Sequence, residues 1–317
     1  MKHLVIGPGA MSYFLFLGAL SALSDKGVLN DLETISGASA GSLLGFMFIL
    51  MKGNVADIFK ESADIPVQTI MKPNIKALFT SYGLVKSKKI LGLLKKLTVA
   101  RCGLESPTFA DLYAYWPIKL YVSACCVDLS TTHYFSVDTH PEMSVHDALC
   151  MSIAVPFLIQ SVKYGEWHYI DGGTLEETPC GAILDQSPGD VHVIMIGEST
   201  ARVNNLRTYG YQILWSAFTL RHKYRMFSGT CIDTGDLDIF DFSMSLDTKV
   251  KTFVKGYTSC TTFPTRVEID PPRTPDETQL PCPEHPVPTY DVASDLLHTS
   301  LDPPDEQTTL LPLGIAA

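Results

Sequence analysis

The stretch Ile35-Ser36-Gly37-Ala38-Ser39-Ala40-Gly41-Ser42 constrains this chain more than any other, because it sets a G-x-S-x-G turn between a β-branched approach (Thr34, Ile35) and a long apolar run, residues 43–51. The pattern reads as strand, tight turn and helix. Ser39 falls at the apex. Gly37 and Gly41, two residues to either side, let strand and helix approach closely and let the backbone take a turn that larger residues resist. A serine placed there presents its hydroxyl to a substrate. The first N–H groups of the helix and the positive end of its dipole favour the charge that develops on an attacked carbonyl oxygen. The same pentapeptide also fits a plain Gly/Ser-rich connection in a chain with 22 glycines, and the strand-turn-helix setting is what favours a nucleophile.

A second unit of the same kind precedes it. Residues 3–6 read as a short buried strand, residues 7–10 as a tight loop and residues 11–24 as an apolar helix. Two successive β-loop-α units predict an α/β fold with a parallel sheet flanked by helices. Residues 4–24 and 35–51 carry no charge and approach the length of a membrane span. Gly7-Pro8-Gly9 interrupts the first run, and the second is short and holds small polar residues in its first half, so both are expected as buried strand-helix pairs.

Further along, Asn54 caps a helix to about Ala63. Residues 86–97 form a basic amphipathic helix, either a surface helix with lysines on its wet face or one that touches an anionic membrane. Residues 109–115 read as a short helix, residues 118–127 as a strand and residues 133–136 as its neighbour. Ser144-Val145-His146-Asp147 has the S-x-x-D form of a capping box opening a helix over 145–151. Residues 166–170 form a strand running into Asp171-Gly172-Gly173, residues 191–196 another, and residues 204–225 a long helix. From 265 onward ten prolines accompany ten Asp/Glu and two Arg, which predicts a domain over 1–264 and a Pro-rich, acidic, disordered tail over 265–317.

That tail accounts for most of the formal charge of −10; the rest of the chain carries 24 acidic against 22 basic residues. No basic cluster interleaved with aromatics points to nucleic acid. The eight cysteines include no C-x-x-C pair and several lie in apolar runs, as reduced thiols of a cytoplasmic protein would. No positively charged leader with a small-residue cleavage site is expected at the N-terminus. The run from Asp233 to Asp238 lacks the glycine and glutamate positions of a calcium loop, and no metal site is expected.

A serine nucleophile needs a base. Of the nine histidines, none stands in a loop that singles it out: His192 lies within a buried strand, His222 ends a helix, and His285 and His298 belong to the tail. An α/β-hydrolase would also place several strands before its elbow, whereas one precedes this strand. Asp171, emerging from an apolar strand and followed by two glycines, is a different case. It can serve as the partner of Ser39, given burial enough to raise its basicity, or it can be an ordinary strand-end aspartate in a Gly-Gly turn. The residues alone leave both readings open.

Taken together, three separated stretches resemble the patatin-like phospholipase family of serine lipid acyl hydrolases. Gly7-Pro8-Gly9-Ala10-Met11-Ser12 is similar to its glycine-rich oxyanion loop, Gly37-Ala38-Ser39-Ala40-Gly41 to its G-x-S-x-G elbow, and Asp171-Gly172-Gly173 to its D-G-[GA] motif, in the family's order and spacing. Tyr82-Gly83-Leu84, Thr108 to Leu112, and Ser152, Ala154 and Pro156 add to the likeness, which covers about residues 3–200. The resemblance implies a three-layer α/β/α fold with a mainly parallel sheet and a Ser39–Asp171 dyad working without metal or other cofactor. It implies an oxyanion hole from the N–H groups of Gly9, Ala10 and Ala40. It further implies phospholipase A-type cleavage of fatty-acyl esters at a membrane or lipid-droplet surface, by a cytoplasmic, peripherally membrane-associated enzyme of lipid degradation.

The chain departs from the family pattern at four positions. Pro8 stands where a glycine is usual and has no N–H, so one candidate oxyanion donor is missing, and the loss of such a donor can cost about 3 kcal/mol. Met11 replaces a basic residue, Ser12 a glycine and Glu177 a common asparagine. These departures keep open a weakly active or inactive lipid-binding or scaffolding protein, an acyltransferase and a triacylglycerol lipase. Phe14, Phe16, Phe46 and Phe48 are either core or the lining of an acyl site.

Overall fold

The two uncharged runs near the N-terminus form the middle of the protein. In a computed structural model, which describes residues 1–197, 209, 227 and 229–261, strands β1 (His3–Ile6) and β2 (Thr34–Ala38) are buried at every position, as parallel strands covered on both faces must be. Helix α1 (Tyr13–Asp25) and helix α2 (Ala40–Leu50) follow them, and α2 is buried at ten of its eleven residues. A helix apolar on every side belongs inside a protein or a bilayer. Among the described residues no helix is long and apolar enough to cross a membrane.

The sheet grows outward from this pair as the two β-loop-α units predict. β2 pairs in parallel with β1 on one side and with β4 (Lys119–Cys126) on the other; β9 (Val191–Ile196) and then β10 (Gly229–Ile232) extend it beyond β1, also in parallel. The remaining pairings of this sheet are antiparallel: β5 (Thr131–Phe135) and β8 (Trp167–Asp171) pair with β4, and β7 (Val162–Tyr164) with β8. The result is a mixed, mostly parallel sheet flanked by helices. A separate two-stranded sheet joins β3 (Gly83–Val85) to β6 (Phe157–Ile159).

One detail of register positions the site. β5 runs beside residues 122–126 of β4 and so occupies one edge of that strand over those positions. β2, which pairs up to Ala38↔Ser123, and β8, whose end pairs Asp171↔Ala124, therefore share the opposite edge. β8 takes over where β2 turns away. The turn after β2 and the end of β8 thus meet at consecutive positions of one strand edge.

Helices close the fold: α3 (Val55–Ala63), α4 (Val67–Ile70), α5 (Ile75–Ser81), α6 (Ser87–Cys102), α7 (Phe109–Tyr115), α8 (Val145–Ser152) and α9 (Leu246–Thr261). The Asn54 side chain accepts from the Asp57 N–H, as its capping role requires. The capping box expected at Ser144 is corrected: its hydroxyl lies 2.9 Å from that of Ser106 and makes no cap bond, while Thr108 and Asp111 form a reciprocal box at the start of α7. Helix α9 lies on α1 backbone to backbone. A Cβ at Gly18 would stand 2.0 Å from the Phe253 carbonyl oxygen, and one at Gly256 would stand 2.0 Å from that of Leu15. The expected helix over 204–225, the boundary at 264/265 and the acidic tail lie outside the described residues.

Candidate active site

At the end of β2 the chain turns so sharply that Ser39 takes φ 52°, ψ −119°, a left-handed conformation rare for a non-glycine residue. Its surroundings hold it there. The Ser39 N–H donates to Ser152 Oγ at 2.9 Å, and Ser42 Oγ donates to the Ser39 carbonyl at 2.7 Å and lies 3.1 Å from Ser152 Oγ. Gly41 brings the first turn of α2 against the end of β1: a Cβ there would stand 2.2 Å from the Ile6 carbonyl oxygen. Ser39 is thus at the N-terminus of α2, on the turn its sequence predicts.

Asp171 ends β8 and is buried. Its Oδ1 accepts from the Gly173 N–H at 2.8 Å, and its Oδ2 is buried without a hydrogen bond of ordinary geometry. Burial pushes the carboxyl up to about 7, against the opposing pull of the nearby Ser39 hydroxyl and the Gly173 N–H. A carboxylate of that basicity, with one oxygen unpartnered, can take a proton at neutral pH. Asp171 thus lies beside Ser39 in the folded chain.

His146 and His192 are both lowered to about 4, mainly by burial and further by Lys95 and Lys26 respectively, and no described histidine lines the cavity beside Ser39. The described cysteines form no disulfide with one another. In the Asp233 to Asp238 run, Asp233 Oδ1 accepts from the Gly235 N–H at 2.8 Å, and no group of three metal-ligating side chains occurs among the described residues.

The loop after β1 holds the other polar groups of the site. Ala10 has φ 44°, and the loop's Met11 N–H is spent on the Ile239 carbonyl at 2.9 Å and its Ser12 N–H on Gly9 at 2.8 Å. The N–H groups of Gly9, Ala10 and Ala40 make no hydrogen bond to a described residue. Ala10 and Ala40 share a cavity with Ser39; Gly9 does not line it and packs against the Phe16 ring instead. Pro8 packs on the motif that follows Asp171, since a Cβ at Gly173 would stand 2.5 Å from its ring.

The cavity over Ser39 measures about 190 Å³ and is walled mainly by hydrocarbon side chains from α1, α4, α6 and β6. Of the four phenylalanines weighed for its lining, Phe14 faces it, whereas Phe16, Phe46 and Phe48 are packed in the core. Ile90, Leu93, Leu94 and Leu97 of the basic helix line it too, while Lys88, Lys89 and Lys96 are exposed. Ser152 was legible only as part of a motif. Its role as acceptor for the Ser39 N–H has no local signal, because the two residues are 113 positions apart.

With this geometry in view, the likeness to known proteins is informative. The family model for patatin-like phospholipase matches residues 4–184. A probable lipid hydrolase, 463L of Invertebrate iridescent virus 6, is 28% identical over 184 residues, 56% of this chain and 61% of that protein. An uncharacterized protein, R571 of Acanthamoeba polyphaga mimivirus, is 25% identical over 177 residues, 55% of this chain and 58% of that one. The chain thus spans about three fifths of the length of these relatives. Among solved structures, VipD from Legionella pneumophila superposes with a TM-score of 0.54 at 16% identity, over 82% of this chain and 66% of that one; at that identity the match speaks to the fold.

Proposed function

The chain belongs to the patatin-like phospholipase family, and on that premise we propose that it is a lipid acyl hydrolase of phospholipase A type, with Ser39 as nucleophile and Asp171 as its base. The observation that carries the reading is the juxtaposition of Ser39, on a strained turn facing an apolar cavity, with a buried carboxyl whose pKa stands at about 7. An apolar cavity suits a fatty-acyl chain, and the paired polar groups suit its ester.

Ser39 Oγ attacks the acyl carbonyl carbon while its proton passes to Asp171, and the oxyanion is held by the Ala40 and Ala10 N–H groups, with Gly9 the third candidate. The ester C–O bond breaks as Asp171 returns the proton to the departing alkoxide. Water then attacks the acyl-enzyme, loses a proton to Asp171 and frees the fatty acid, and that proton restores the Ser39 hydroxyl. Ser152 keeps the Ser39 backbone in place throughout.

The test is intact-mass analysis after a fluorophosphonate probe, alongside fatty-acid release from phospholipid vesicles and from a triacylglycerol emulsion. Labelling of wild type at Ser39, with release from vesicles that falls at least about 10³-fold in Ser39→Ala and Asp171→Asn, is the expected result. kcat/KM should climb with pH and level off above about 7, where Asp171 is ionised. Release from the emulsion alone would move the assignment to a neutral-lipid lipase, and no labelling of folded protein would overturn the catalytic reading.

A further inference from the structure

Between Asp64 and Glu105 the chain carries positive charge only. Those forty residues, 65–104, hold eight Lys or Arg and no Asp or Glu, in a protein whose formal charge is −10. Lys95 and Arg101 are spent on Glu105 and Glu61. Lys72, Lys76, Lys86, Lys88, Lys89 and Lys96 are exposed and make no ion pair among the described residues.

Large apolar side chains stand among these lysines. On α5, Ile75 is 71% and Phe79 79% exposed, and Tyr82 just beyond it is 66% exposed. Phe157, 62% exposed, joins them because Gly83, next to Tyr82, pairs with it in the small β3–β6 sheet. Tyr82 and Phe157 both have left-handed backbones, φ 58° and 64°, which bulky residues seldom adopt. Two adjoining aromatics held out to solvent on strained backbone are not explained by packing.

The patch is continuous with the cavity. Met71 beside Lys72, Ile90 beside Lys89 and Leu158 beside Phe157 all line it. We propose that the face made by α5, the β3–β6 sheet and the first half of α6 docks on an anionic phospholipid bilayer, which sets the mouth of the Ser39 cavity at the lipid interface. The four apolar side chains enter the headgroup region, and the six unpaired lysines meet its phosphates. A neutral lipid surface offers no partner for those charges, and the absence of any acid over forty residues matches a surface of a single, negative sign. This docking rests on the reading of the cavity as the acyl site and adds the interface from which the acyl chain arrives.

The experiment is co-sedimentation of the full chain with vesicles of phosphatidylcholine alone or of phosphatidylcholine with phosphatidylserine, in the Ser39→Ala form so that turnover does not alter the lipid. Binding should favour the phosphatidylserine vesicles, fall as salt is raised, and weaken about tenfold in Phe79→Ser and in the Lys72→Glu/Lys76→Glu pair. The same patch substitutions in otherwise wild-type protein should leave hydrolysis of a short-chain ester dissolved in water unchanged. No binding at low salt, equal binding to both vesicles, or binding indifferent to the substitutions would overturn the docking. Docking and catalysis fail separately: vesicle binding does not need Ser39, and soluble-ester turnover does not need the patch.

Discussion

The turn that carries Ser39 and the basic face over residues 65–104 both present functional groups on strained backbone, yet they are built on opposite terms. At Ser39 the residues that hold the turn are buried and small, and the strain at φ 52° is held by neighbours in direct contact: Ser152, Ser42, and Gly41 against the Ile6 carbonyl. Around Tyr82 and Phe157 the strained residues are large and exposed. The first is geometry fixed by packing, where a methyl group has no room; the second is surface chemistry, where side chains can change with little cost to the fold. Strain by itself therefore says little about role. Strain enclosed by contacts serves positioning, and strain that projects apolar groups into water serves a partner that will cover them.

The largest effect is expected at Asp171. Its carboxyl sits at about 7 in the folded protein against an ordinary 3.8. Between those values the native state holds a proton that the unfolded chain has lost, so stability falls as pH rises from about 4 to about 7, and the full cost, about 4 kcal/mol, is present above 7. Asp171→Asn removes that cost. Its melting temperature should exceed that of wild type at pH 8 and converge on it toward pH 4; a gain independent of pH would mean that the carboxyl is not the group destabilised. A smaller effect is expected at Gly41→Ala, whose Cβ would stand 2.2 Å from a backbone oxygen. A loss of about 3 kcal/mol by urea denaturation fits an elbow that cannot yield, and a loss under about 1 kcal/mol would show that it can. The smallest belongs to the basic face. Ile75→Ser, at a position 71% exposed, should change stability by no more than about 0.5 kcal/mol, and a larger loss would make the face part of the core after all.

Local pattern was enough for much of the architecture. The two β-loop-α units, the buried character of α1 and α2, the Asn54 cap and the strand leading into Asp171 are all written in short stretches whose periodicity and turn residues act on immediate neighbours. The small-residue turn placed Ser39 for the same reason, and its pairing with Asp171 was legible through motifs in order rather than through either residue alone. Tertiary structure decided the rest. Ser144 makes no capping bond, and its hydroxyl lies instead against that of Ser106, 38 positions away. That β8 takes over the edge of β4 where β2 leaves it, that Ser152 receives the Ser39 N–H, that α9 lies on α1 through Gly18 and Gly256, and that Asp171 is buried deeply enough to stand at about 7 all depend on contacts between distant segments. A sequence fixes local conformational preference directly because neighbours along the chain are always neighbours in space. Burial, and the basicity it confers, exists only once the chain has closed on itself.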